Sequence, residues 1–130
     1  MLTGGFKGRQ YRLEEDELVE ETGHKLGLSA QDVIAEYGMT ELSSQAYGSP
    51  FVAPEWLKIR VVDPVSHIDL DPGQAGLVAF FDLLNLDNVS AILSSDLGTL
   101  DAEGRLTLLG RAPQSPLRGC SLVAEDWEMT

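Results

Sequence analysis

From Trp56 to Asp63, "WLKIRVVD", large apolar residues alternate with charged ones, the pattern of a strand with one wet face. Lys58 and Arg60 are expected on that face. Leu77–Asn85, "LVAFFDLLN", is apolar at nearly every position, which predicts a strand buried on both faces and central in its sheet. Ser90–Asp96, "SAILSSD", predicts a third strand, and Leu106–Leu109 a last one. Proline and glycine in "LDPGQAG" and the acidic, glycine-containing "DAEGR" supply turns between them.

The first fifty residues have a different rhythm. Leu13, Leu18, Val19, Thr22 and Leu26 fall near helical spacing, with acids between them. Glu14 to Glu17 crowd what would be the first turn, where the helix dipole favours negative charge. Gly27 is placed to stop the helix, and Ser29 to cap a short helical turn. Leu2 and Val33–Ala35 read as strands with no neighbour in sequence, and such edges seek partners. The fold class is α+β: a helix and glycine-rich loops, then a twisted, mainly antiparallel β region. One domain over 1–130 is expected: 1–50 a loop and helix segment, 51–124 the β region, 125–130 an acidic tail.

Charge narrows the function classes. Nine basic and 21 acidic residues give a formal charge of −12, which disfavours nucleic acid and anionic membranes as partners. No apolar run reaches the roughly 20 residues of a membrane span. The N-terminus carries no long apolar segment of the secretory kind. A single cysteine, Cys120, cannot form an internal disulfide, and the expected compartment is the reducing cytoplasm.

The stretch "EYGMTE", Glu36–Glu41, carries candidate chemistry. An exposed aromatic ring at Tyr37 can stack on a flat heterocycle. Gly38 allows close backbone approach to a ligand. The Thr40 hydroxyl can donate to a phosphate oxygen, and Glu41 can hold a divalent cation. The same residues also suit a plain turn after a strand. His24 is expected exposed on an acidic helix. His67 within "HIDLD" is weak as a metal site and reads as a turn residue. Trp56 and Trp127 read as packing residues.

"YGMTE" resembles the signature of the adenylate-forming superfamily, which includes acyl-CoA synthetases and firefly-type luciferases. Further segments follow in that superfamily's order. "LTGGFKG" is similar to its glycine-rich segment facing adenine, here Gly4, Gly5 and Phe6. "DPGQAGLVAFFDL" is similar to its proline-glycine turn and strand. "SSDLGTLDAEGRLTLLGRA" is similar to its ribose-binding stretch. The resemblance implies ATP or AMP and Mg2+ as cofactors. It puts adenine on Tyr37, with Gly38 close by, the adenylate phosphate on Thr40, a catalytic position, magnesium on Glu41, and the ribose hydroxyls on Asp96 and Arg111.

"GGFKGR" and "LRGCSL" look like the acyl-protein synthetases of the bacterial bioluminescence fatty-acid reductase complex. That resemblance implies ATP-dependent activation of a fatty acid or other carboxylate, then transfer to a cysteine, here Cys120. Arg118 would favour its thiolate. A small buried cysteine without chemistry is the other reading of Cys120. The superfamily's Ser/Thr/Gly-rich phosphate loop is not found in these residues. The chain is therefore expected to be the C-terminal part of a larger or split enzyme, partnered by the missing portion or an acyl reductase. The alternative is a non-catalytic remnant or partner-docking module.

Overall fold

The computed structural model describes residues 2–3 and 15–112. The stretch Glu15–Leu26 forms helix α1. Its last turn closes through Leu28 N–H donating to the Gly23 carbonyl at 2.8 Å and Gly27 N–H to the His24 carbonyl at 3.4 Å. Ser29 does begin a short turn: its Oγ accepts from Gln31 N–H, and Asp32 Oδ2 reaches back to Ser29 N–H at 3.1 Å. A 3-10 turn over Ala30–Asp32 follows. His24 is exposed, as expected. No α1 side chain belongs to the core cluster among the described residues.

Among the described residues, eight strands make one sheet: β1 (Leu2–Thr3), β2 (Ala35–Tyr37), β3 (Ala46–Gly48), β4 (Phe51–Val52), β5 (Leu57–Val62), β6 (Gly76–Asp82), β7 (Ala91–Leu100) and β8 (Leu106–Arg111). Their order is β1-β2-β3-β4-β8-β7-β6-β5. Among these described strands β1 and β2 pair in parallel, and the other neighbours are antiparallel. The mainly antiparallel α+β expectation holds. Two of the strands, β2 and β3, lie before residue 50. The strand-like residues near the N-terminus are not orphans either: β1 pairs with β2, and β2 with β3.

The last strand joins the two halves. β5 to β8 form a meander, and β4 docks on β8 through the single pair Phe51–Leu106. At that joint lies the core: Phe51, Val78, Phe80 and Leu106 are buried, with Ala35, Leu42, Ala46, Leu57 and Val61 around them. Burial alternates along β6. Gly76, Val78, Phe80 and Asp82 point inward, while Phe81 is 45% exposed. The expected two-faced burial of this strand is therefore corrected. β6 lies inside the sheet, between β5 and β7, but only one of its faces meets the core. On β5, Lys58 and Arg60 are exposed as expected, and Arg60 pairs with Asp69 at 2.6 Å.

Candidate functional site

Two strands from opposite halves of the sheet bring the site together. Tyr37 ends β2, and its ring lies tilted against Phe51 at 5.6 Å and Phe80 at 5.8 Å between centroids. Its hydroxyl donates to Asp96 Oδ2 at 2.6 Å, across 59 positions of sequence. Arg111 Nε pairs with Asp96 Oδ1 at 3.0 Å. Both oxygens of the Asp96 carboxylate thus hold a protein partner. Its side chain is still 19% exposed, and that of Arg111 43%.

A one-residue irregularity sets this pairing. Along β7 and β8 the register is Leu100–Leu106, Thr99–Thr107, Gly98–Leu108, then shifts to Leu97–Gly110 and Asp96–Arg111. Without the shift Asp96 would oppose Gly110, and Arg111 would fall on the other face. Gly110 adopts φ 122° at the bulge, a conformation that residues with a side chain rarely take.

Burial raises the Tyr37 phenol far above its ordinary value; the hydrogen bond to Asp96 and its negative charge add to this, while the neighbouring Ser94 side chain and the Arg111 charge oppose it. The Ser94 hydroxyl donates to the Val78 carbonyl at 2.8 Å and accepts from Asp96 N–H at 3.1 Å, which seats the aspartate backbone. Tyr37 is half-buried rather than a freely exposed platform.

Gly38, Thr40 and Glu41 follow β2 and are exposed. Thr40 Oγ1 donates to Glu41 Oε2 at 3.0 Å, so the two side chains share one turn. Among the described residues no group of three or more His, Cys, Asp or Glu could hold a metal ion, and this includes the His67 loop. Gly4, Gly5, Phe6, Arg118, Cys120 and Trp127 lie outside the described residues.

Sequence reasoning missed a buried polar knot beneath this turn. Asp82 is 0% exposed and Asn85 4%. Asp82 Oδ2 accepts from Ser43 N–H at 3.0 Å; its Oδ1 accepts from the Ser44 hydroxyl at 2.9 Å and Leu84 N–H at 3.0 Å. Asn85 Nδ2 donates to the Glu41 carbonyl at 2.8 Å and the Val89 carbonyl at 3.1 Å; its Oδ1 accepts from the Ser43 hydroxyl at 3.2 Å. The available signal was an aspartate closing an apolar strand, since such a residue is rarely buried unless paired. Trp56, expected as a packing residue, is 46% exposed. It lines an open cleft of about 490 Å³ with Ser43, Ser44, Tyr47, Val52 and Leu84, away from Asp96 and Arg111.

No protein-family model matches the chain. No curated protein matches it either. Solved structures do. ATP-bound MatB from Rhodopseudomonas palustris aligns at TM-score 0.54 and 21% identity, over 72% of this chain and 23% of that one. A putative long-chain-fatty-acid CoA ligase from the same organism aligns at 0.53 and 22%, over 77% and 30%. A luciferase-like enzyme from the mealworm Zophobas morio aligns at 0.56 and 13%, over 76% and 30%. The chain spans about a quarter to a third of the length of these structures. At these identities the likeness is one of fold: the described residues have the fold of a segment of these three structures.

Proposed function

We propose that the chain is the C-terminal, nucleotide-holding part of an adenylate-forming ligase of the acyl-protein synthetase type. The observation that carries this reading is the meeting of Tyr37, Asp96 and Arg111 at 2.6 and 3.0 Å, from two motifs 59 or more positions apart. It is supported by solved structures of the same fold, one ATP-bound and one a putative fatty-acid CoA ligase.

The reaction has two halves. An oxygen of a fatty acid or other carboxylate attacks the α-phosphorus of ATP, and pyrophosphate leaves, giving the acyl-adenylate. The thiolate of Cys120 then attacks the acyl carbon, and AMP leaves with the bonding electron pair, giving a thioester. An acyl reductase is the fitting downstream partner, and the cytoplasm the fitting compartment.

Asp96 suits two vicinal ribose hydroxyls because a carboxylate has about four lone-pair directions, and Tyr37 and Arg111 use two of them. The ion pair holds the Arg111 guanidinium beside Asp96, against the same sugar. The Tyr37 ring stacks on adenine. Thr40 donates to the phosphate. Glu41 fits magnesium as a lone carboxylate, because Mg2+ commonly takes one or two carboxylates and completes its shell with phosphate and water. Bound there, the ion would neutralise phosphate charge.

Calorimetry with AMP tests the assignment. Asp96→Ala should weaken binding by about tenfold or more, the worth of hydrogen bonds to a charged acceptor. Equal affinities in the two proteins would remove Asp96 from the ribose role.

A further inference from the structure

The turn that carries Thr40 and Glu41 is held from below by residues that neither the motif nor the proposed reaction uses. Both side chains project from an exposed turn. Its backbone, by contrast, is tied at successive points. Leu42 N–H donates to the Met39 carbonyl at 3.1 Å, and the Leu42 side chain is buried in the core. Asn85 grips the Glu41 carbonyl, and Asp82 grips Ser43 N–H and the Ser44 hydroxyl. These bonds span 38 to 44 positions of sequence, so local turn chemistry does not supply them.

We infer that Asp82 and Asn85 are positioning residues for this turn, fixing where Thr40 and Glu41 stand relative to Asp96 and Arg111; the functional part of the inference rests on the nucleotide reading above. The knot is tied at both ends. Ser90 Oγ donates to the Asn85 carbonyl at 3.2 Å, and Asp82 N–H donates to the Ser90 carbonyl at 2.9 Å. The knot therefore anchors the turn to the β6–β7 connection, and β7 itself carries Asp96. A shift of Asn85 moves the Glu41 carbonyl with it. No buried side-chain nitrogen or oxygen among the described residues lacks a partner, so the knot has no slack polar group to absorb such a shift.

Asn85→Asp isolates the effect. The variant keeps the acceptor that Ser43 Oγ uses, but sets a carboxylate oxygen against the Glu41 and Val89 carbonyls in place of the amide donor. Ser43→Ala is the gentler control, because it removes one hydrogen bond from an exposed residue. Two measurements on the full chain read the result. Amide hydrogen exchange at Leu42 and Ser43 should accelerate by at least about tenfold in Asn85→Asp, the cost of one net hydrogen bond, and less in Ser43→Ala. Val78 and Phe80, inside β6, should keep their rates. ATP titrated with and without MgCl2 should show the magnesium-dependent gain in affinity falling about tenfold, the lower end for losing an outer-shell partner at a metal site. The affinity without magnesium should hold.

Unchanged exchange at Leu42 and Ser43 overturns the positioning role. So does uniform acceleration across the sheet, which would mean general destabilisation. Equal losses of ATP affinity with and without magnesium overturn it as well. If the parent binds no nucleotide under either condition, the proposed function fails, and the exchange rates alone still decide whether Asn85 and Asp82 hold the turn.

Discussion

Replacing Tyr37 by Phe removes one hydroxyl and leaves the ring against Phe51 and Phe80. The lost hydrogen bond measures 2.6 Å, within the range of a hydroxyl donating to a carboxylate. Hydrogen bonds to charged groups contribute about 1.5–3 kcal/mol net. Asp96 keeps Arg111 and is 19% exposed, so water replaces part of the loss. We take the low side, about 1–2 kcal/mol. Unfolding entropy of about 2.1 cal/mol/K per residue over 130 residues converts this to a fall in Tm of about 4–7 °C.

The pH dependence supplies a second signature. Because the folded phenol titrates above its unfolded value, its contribution is complete below about pH 10, the ordinary tyrosine pKa, and is lost as pH rises beyond it. The stability gap between parent and Tyr37→Phe should therefore be constant through neutral pH and narrow from pH 10 upward. Urea denaturation at several pH values, with Asp96→Asn completing a double-mutant cycle, measures both. A change within about 0.3 kcal/mol at pH 7, or single-mutant effects that simply add, would refute the claim that this pair couples β2 to β7.

Gly98→Ala should destabilise by about 1–3 kcal/mol in urea, because the new Cβ would lie 2.8 Å from Leu106 Cδ1 and 2.9 Å from the Thr107 carbonyl oxygen; an unchanged midpoint would show that β8 yields freely. The Arg105 backbone amide, then its side chain and charge, hold the Asp101 carboxyl below its usual value, so its contribution is present above the unfolded carboxylate pKa and disappears as pH falls through the folded one. NMR should find a low Asp101 midpoint that rises in Arg105→Ala, and no rise would assign the shift to the backbone alone. Cys120 should react with iodoacetamide at pH 7 faster than free cysteine, and more slowly in Arg118→Ala. Reaction only after denaturation would withdraw the acyl-acceptor role from this chain.

What the sequence made legible was what its local rules govern. β5 followed from alternation, and β8 followed from the "DAEGR" turn, where Asp101 accepts from Glu103 and Arg105 N–H. β3 and β4 stayed hidden because three and two residues are too short for any period, and Gly48 and Pro50 read as breakers. β7 ran four residues past the expected end, since "LGTL" becomes strand only when β8 lies beside it.

The site divides along the same line. Resemblance picked out Asp96 and Arg111 one by one, but their shared face depends on a single extra residue in β8, which no motif spacing announces. Tyr37 was read as an open ring, whereas the fold turns its hydroxyl onto Asp96. Asp82 and Asn85 gave the faintest signal of all, because their partners lie 38 to 44 positions away and are mostly backbone groups of a turn. A side chain that touches substrate must be of a definite chemical type, and that leaves a mark in sequence. A side chain that holds a turn needs only a donor or an acceptor at the right height. The residues that decide whether Thr40 and Glu41 stand in register with Asp96 are therefore the ones a motif search passes over.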